Sequence, residues 1–216
     1  WTDMGGFQSV KVDSDDVVRN TSESKNQDSC IASGLSLYAW EQYDVAGALE
    51  GIFCSVIDST SGAVFQSNTL IDATAINPRC VALGPNPTLV YLDTSASPYV
   101  MKTVQVDINN PISFNASSTI VSNVNATNPN YDVAVNSADA DAGNAVFAYN
   151  SNASTTLGVG YITTDGVVGG PANGFPGAVT IGSTNTNDFI TLCTDRVNTD
   201  PTQSERVYVA YSSRTA

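Results

Sequence analysis

Four short stretches decide the fold: Ser29-Cys30-Ile31-Ala32, Arg79-Cys80-Val81-Ala82, Tyr131-Asp132-Val133-Ala134 and Phe189-Ile190-Thr191-Leu192. Each is followed by a second run that carries an aromatic residue. These are Leu37-Tyr38-Ala39-Trp40, Leu89-Val90-Tyr91-Leu92, Val146-Phe147-Ala148-Tyr149 and Val207-Tyr208-Val209-Ala210-Tyr211. β-Branched and aromatic residues in runs this short, bounded by Gly, Asn, Ser and Asp, read as strands and tight turns. Setting Cys30 against Cys80, Val133 and Ile190 gives a repeat of roughly 50 residues, the spacing of propeller blades.

Working outward, the first three copies continue into a third strand: Ile52–Asp58, Val100–Asp107 and Leu157–Ile162. Turn sequences follow at Ser59-Thr60-Ser61-Gly62, Ile108-Asn109-Asn110-Pro111 and Thr163-Thr164-Asp165-Gly166. A fourth strand closes each of these copies: Asn68–Ile71, Ser118–Val121 and Ala178–Ile181. Strands such as Thr88-Leu89-Val90-Tyr91-Leu92 are apolar almost throughout, so both of their faces must be covered. The expected fold is therefore all-β, a β-propeller of about four four-stranded blades, or a fragment of a larger propeller. A β-sandwich of eight or more strands is the alternative, because it also spaces its strands evenly. Tyr43 to Gly51 is the single stretch with any helical character, and it is too short to form a helix unaided.

The boundaries expected are 1–27 for an N-terminal strand and polar connection, and 28–216 for the repeats. The copies fall at about 28–75, 76–126, 127–185 and 186–216, the last incomplete. Either the strand Phe7–Asp13 completes the last copy and closes the ring, or further chain does. The absence of an initiator Met points to processing or to a longer parent.

Composition removes several chemistries. The 216 residues hold no histidine, which excludes Ser-His-Asp and Cys-His sites within the chain. Eight basic against 21 acidic residues give a net charge of −13, contrary to what phosphate-backbone binding requires. The hydrophobic share of 42% suits a folded chain, and no apolar run is long enough to span a membrane. Cys30, Cys54, Cys80 and Cys193 lie in or beside apolar runs without CxxC spacing, as buried free thiols do. One disulfide is the alternative in an extracellular protein.

Four groups of side chains carry candidate chemistry. Asp139-Ala140-Asp141-Ala142-Gly143-Asn144 resembles the start of a calcium loop, with Asp139 and Asp141 as ligands. A closing bidentate Glu is missing, and a solvated hairpin tip between two strands is the simpler reading. Asp13, Asp15 and Asp16, and Asp195 with Asp200, are loop carboxylates of the type glycoside hydrolysis uses, or simply solvent-facing acids. Tyr43, Tyr99 and Phe175 are expected in loops, where they could stack on sugar rings; Trp1 is a further exposed-end aromatic. Trp40, Tyr91, Tyr149 and Tyr211 recur at one strand position and are expected between blades. Asn20, Asn115, Asn125 and Asn152 begin glycosylation sequons, which matter only in a secreted eukaryotic protein.

One resemblance adds to this. The run Gly51-Ile52-Phe53-Cys54-Ser55-Val56-Ile57-Asp58-Ser59-Thr60-Ser61-Gly62-Ala63-Val64, then Pro78-Arg79-Cys80-Val81-Ala82-Leu83-Gly84, is similar to the propeller part of tail nozzle proteins of short-tailed bacteriophages. Tyr131-Asp132-Val133-Ala134 and Tyr161–Gly169 repeat the style, over residues 28 to 216. The resemblance implies a non-enzymatic virion component, assembled as a ring with other tail proteins, without cofactor or catalytic residues. The competing expectations are a carbohydrate-binding propeller at the cell surface or outside the cell, and a glycoside hydrolase.

Overall fold

The computed structural model describes residues 23–109, 111–135, 144–152, 156–166, 168–169, 178–180, 189–194 and 207–212. The fold is an all-β propeller arrangement of successive antiparallel sheets. The first sheet is a meander of β1 (Glu23–Ala32), β2 (Leu35–Tyr43), β3 (Leu49–Asp58) and β4 (Val64–Asp72). The second runs β5 (Ala75–Leu83), β6 (Asn86–Asp93) and β7 (Tyr99–Asp107). Its outer position is shared by two short strands, β8 (Ser113–Phe114) and β9 (Ser118–Val124), which pair with opposite ends of β7. The third repeats this plan with β10 (Tyr131–Val135), β11 (Ala145–Asn150) and β12 (Thr156–Ile162), flanked by β13 (Val168–Gly169) and β14 (Ala178–Thr180). The described part of the fourth is the hairpin of β15 (Phe189–Thr194) and β16 (Val207–Ser212).

Residues 44–48 turn rather than coil. The Asp44 carboxylate accepts the amides of Ala46 and Ala48, both at 2.8 Å, which an Asx turn does more cheaply than a one-turn helix. The chain thus passes directly from β2 to β3.

The sheets stack face to face in sequence order, and the innermost strands β1, β5, β10 and β15 lie against one another in series. Leu35, Leu37 and Ala39 of the first sheet meet Cys80, Leu89 and Tyr91 of the second. Val90, Leu92 and Met101 from the other face of the second sheet meet Tyr131, Phe147 and Tyr149. Val146, Ala148 and Val159 then meet Ile190 and Leu192. Each middle strand is thus buried on both faces, which is why β6 and β11 are apolar nearly throughout.

Pairing register corrects the alignment of the copies. Ala32 closes its hairpin with Leu35, and Leu83 closes the next with Asn86. Ser29, not Cys30, is therefore the counterpart of Cys80. Both inner strands carry a bulge just before this point, where Asn26 (φ 48°) and Asn77 (φ 53°) take the left-handed conformation Asn tolerates best. The same register places Trp40, Tyr91, Tyr149 and Tyr211 at one position, each two residues beyond the partner of Ser29, Cys80, Val133 or Leu192. Tyr91 and Tyr149 fill the interface with the preceding sheet, as expected.

Two pairs in the third sheet show how large rings fit between sheets. Tyr149 lies opposite Gly158, and Phe147 opposite Gly160. A Cβ on Gly158 would stand 2.0 Å from the Tyr149 ring, and one on Gly160 would stand 2.5 Å from Phe147. An ion pair ties the first two sheets together. Lys102 on β7 lies 2.6 Å from Asp93 and 4.0 Å from Asp72, at the end of β4. Burial opposes ionisation of Asp93, but hydrogen bonds from Lys102, Ser95 and Thr74 outweigh it and hold its carboxyl well below the usual range.

Gly158→Ala should lower unfolding free energy by about 1–3 kcal/mol through overpacking, measured by urea denaturation. Because the folded-state pKa of Asp93 is depressed, its contribution is present above about pH 4 and is lost as pH falls from there. Stability measured from about pH 6 to about pH 2 should therefore fall less steeply in Asp93→Asn than in the wild type.

Candidate functional site

Functional side chains concentrate where the inner strands meet. Register makes Asp28, Arg79 and Asp132 equivalent, since each pairs with the matching residue of its second strand, Ala39, Val90 or Ala148. Asn26, Asn77 and Asn130 each lie two residues before them. The repeat thus brings two carboxylates, a guanidinium and three amides to one stretch of the inner strands.

The carboxylates are fixed by backbone. Asp28 Oδ1 accepts the amide of Ser29 at 2.8 Å, and its Oδ2 accepts the amide of Cys80 on the next sheet at 2.8 Å. Asp132 does the same two interfaces further on. It takes the amide of Leu192 at 2.8 Å and the hydroxyl of Thr191 at 3.1 Å. Each carboxylate thus satisfies an inner-strand amide of the following sheet, where no ladder partner exists. Arg79 stands between them, 3.7 Å from Asp132, with its guanidinium 6.0 Å from the Tyr131 ring centre. Burial drives the Tyr131 phenol well above its usual pKa, and the carbonyls of Val90 and Asn77 share its one hydroxyl proton.

Glu41 is the deepest acid of this region, 1% exposed. It accepts from the Asn26 side chain at 2.9 Å, the Asn77 amide at 2.6 Å and the Tyr43 hydroxyl at 2.8 Å. With both oxygens occupied, it acts as a peg joining β1, β2 and β5.

A depression of about 440 Å³ opens beside Asp28, lined by Ser24, Gln27, Asp28, Ser29, Tyr38, Ala39 and Trp40. Among the described residues no sheet precedes the first. Tyr91 and Tyr149 each fill an interface with a preceding sheet, whereas Trp40 lines this hollow. The indole stacks on Phe53, with ring centres 6.4 Å apart, and donates to Gln42 at 3.2 Å. Tyr38 is more open, at 36% exposure. Aromatic faces, a carboxylate, an amide and two hydroxyls therefore share one hollow of ligand size.

Of the residues singled out in the sequence, Tyr43 ends β2 and Tyr99 begins β7; neither lies in a loop. Tyr43 is occupied by Glu41, with the Lys25 ammonium 4.7 Å from its ring centre. Tyr99 packs into the core between the second and third sheets. Tyr211 is 42% exposed. Phe175, Asp139 and Asp141, Trp1, Asp13, Asp15, Asp16, Asp195, Asp200 and Asn20 lie outside the described residues. Among the described residues, no three Cys, Asp or Glu side chains stand close enough together to hold a metal. No described helix is long and apolar enough to cross a membrane. Cys193 is exposed, contrary to the expectation of four buried thiols. Asp28, Arg79 and Asp132 were missed because the cysteine alignment is displaced by one residue in the first copy. The recurring Asn two residues before each would have corrected it.

No protein-family model matches the chain, and no curated protein does. Solved structures do resemble it. An endo-arabinase of Bacteroides thetaiotaomicron is 11% identical, with a TM-score of 0.43 over 88% of this chain and 75% of that one. A family 117 glycoside hydrolase of Zobellia galactanivorans is 9% identical, with a TM-score of 0.41 over 88% of this chain and 60% of that one. The catalytic domain of a GH62 α-L-arabinofuranosidase of Coprinopsis cinerea is 17% identical, with a TM-score of 0.42 over 84% of this chain and 58% of that one. The chain therefore spans less than two thirds of the last two. All three are glycoside hydrolases and none is a virion protein. On that finding the expectation of a non-enzymatic, ring-forming tail component is corrected. Repeat style misled here because propeller blades share strand and turn chemistry whatever they serve.

Asp28→Ala strips the Cys80 amide of its acceptor and should cost about 1–3 kcal/mol of unfolding free energy. Arg79→Ala breaks a long, partly exposed ion pair and should cost under about 1 kcal/mol in the same urea titration.

Proposed function

We propose that the chain is a carbohydrate-binding propeller that takes a sugar in the hollow between Tyr38, Trp40 and Asp28. One observation carries this: two aromatic side chains, a carboxylate, an amide and two hydroxyls line one depression of about 440 Å³. A sugar ring has an apolar C–H face and an edge of hydroxyls. The hollow offers the matching surfaces. The tyrosine and tryptophan rings meet the C–H face, while Asp28, Gln27, Ser24 and Ser29 exchange hydrogen bonds with the hydroxyls. Asp28 is held in place by two backbone amides, so little ordering of that side chain is needed on binding.

Cleavage of the bound sugar is a second reading. It rests on Asp28 and Asp132, equivalent carboxylates on inner strands with Arg79 between them, since glycoside hydrolysis commonly employs two acids.

Calorimetric titration against neutral pentose and hexose oligosaccharides should find at least one ligand. Tyr38→Ala should weaken it by about tenfold, the loss of one aromatic contact. Silence across the whole panel, or unchanged affinity in Tyr38→Ala, would sink the binding reading. Release of new reducing ends by the wild type, lost in a folded Asp28→Asn protein, would establish cleavage.

A further inference from the structure

The first and second sheets bring three cysteines into one layer of side chains. Cys54 and Cys80 belong to the core between these sheets, and Cys30 packs against it. Cys30 pairs with Leu37 on the side of β1 turned toward the second sheet. Cys80 pairs with Leu89 on the side of β5 turned back toward the first. The backbone of Cys80 is fastened at this place, because its amide donates to the Asp28 carboxylate at 2.8 Å and its thiol to the Asp28 carbonyl at 3.5 Å. Asp28 is two residues from Cys30. Cys30 and Cys80 therefore stand on facing sides of one interface, within the same cluster of packed side chains.

We propose that Cys30 and Cys80 are a cross-linking site, which a disulfide oxidant converts to a covalent bond between the inner strands of the first two sheets. The two side chains share one packed layer, and neither strand pairs with the other in a ladder. The linked loop of roughly 50 residues is one whose closure restricts the unfolded chain strongly.

The two thiols differ in the way a sequential exchange requires. The neighbouring Cys80 lowers the Cys30 pKa against an opposing effect of burial, and Cys30 is half-buried rather than sealed. Cys30 and burial together raise the Cys80 pKa. Burial pushes the Cys54 thiol far up, which leaves it a bystander. The Cys30 thiolate attacks one sulfur of glutathione disulfide, forming a mixed disulfide and releasing one glutathione thiolate. Cys80 gives its proton to water, attacks the Cys30 sulfur and expels the second glutathione. The protein loses two protons and two electrons, and one glutathione disulfide becomes two glutathione thiols.

The test uses the whole reduced chain, folded, exposed to glutathione disulfide and then quenched with acid. Intact mass should fall by two hydrogens, and peptide mapping should join the Cys30 and Cys80 peptides. The melting temperature should rise by about 4–16 °C and return on reduction. Cys30→Ser and Cys80→Ser should each lose this rise, while Cys193→Ser keeps it. A glutathione adduct that never closes, a link mapped to Cys54 or Cys193, or a mass unchanged after prolonged exposure would each overturn the proposal. Peptide mapping decides even if a serine variant folds poorly.

Discussion

The structure depends on one constraint: its sheets are apolar on both faces. Leu37 and Ala39 on β2 look one way and Tyr38 and Trp40 the other, and the same holds for β6 and β11. Covering such a sheet on both faces takes a neighbour on each side. Such sheets are stacked in a series, each serving as the wall of the next. Once the sheets stack in series, their first strands gather along one line. Whatever residue the repeat places on those strands is then multiplied at that line.

Inner strands pay for this position with unpaired backbone. A first strand has a ladder neighbour on one side only, so amides on its free side face the strand of an adjacent sheet. Asp28 and Asp132 reach across to those amides, at Cys80 and Leu192. The interface after the second sheet has Arg79 at the equivalent place. There the connection is made instead by the Tyr131 hydroxyl, which reaches the carbonyls of Asn77 and Val90. Asp28, beside the hollow, is therefore part of the scaffold first. A scaffold that immobilises a carboxylate also presents it in a defined orientation, the quality that recognition of a small polar ligand uses.

Much of the fold was legible in the sequence because strand formation here follows composition and turn chemistry closely. The apolar middle strands, the aromatic position shared by Trp40, Tyr91, Tyr149 and Tyr211, and the hairpin turns were visible as patterns. Register was not, because matching Cys30 to Cys80 fits the composition until the hairpin ends, Ala32 with Leu35 and Leu83 with Asn86, are paired. The positive-φ asparagines at 26 and 77 look like any loop asparagine until the ladder shows the skipped pair. That single slip hid the alignment of Asp28 with Arg79 and Asp132, and with it the candidate site. The loop expectation for Tyr43 and Tyr99 failed for a related reason, since strands extend beyond their apolar cores by residues whose side chains are polar or half-exposed.

The glycines beneath Tyr149 and Phe147 have a consequence for how this sequence can change over time. Ring and glycine occupy one shared volume, so neither position can drift alone. A side chain at 158 collides with the ring, and a smaller residue at 149 leaves a hole over bare backbone. Accepted substitutions there must come as compensated pairs. Among descendants of this chain, positions 149 and 158, and 147 and 160, would be inherited as units, each pair carrying the memory of the other's size.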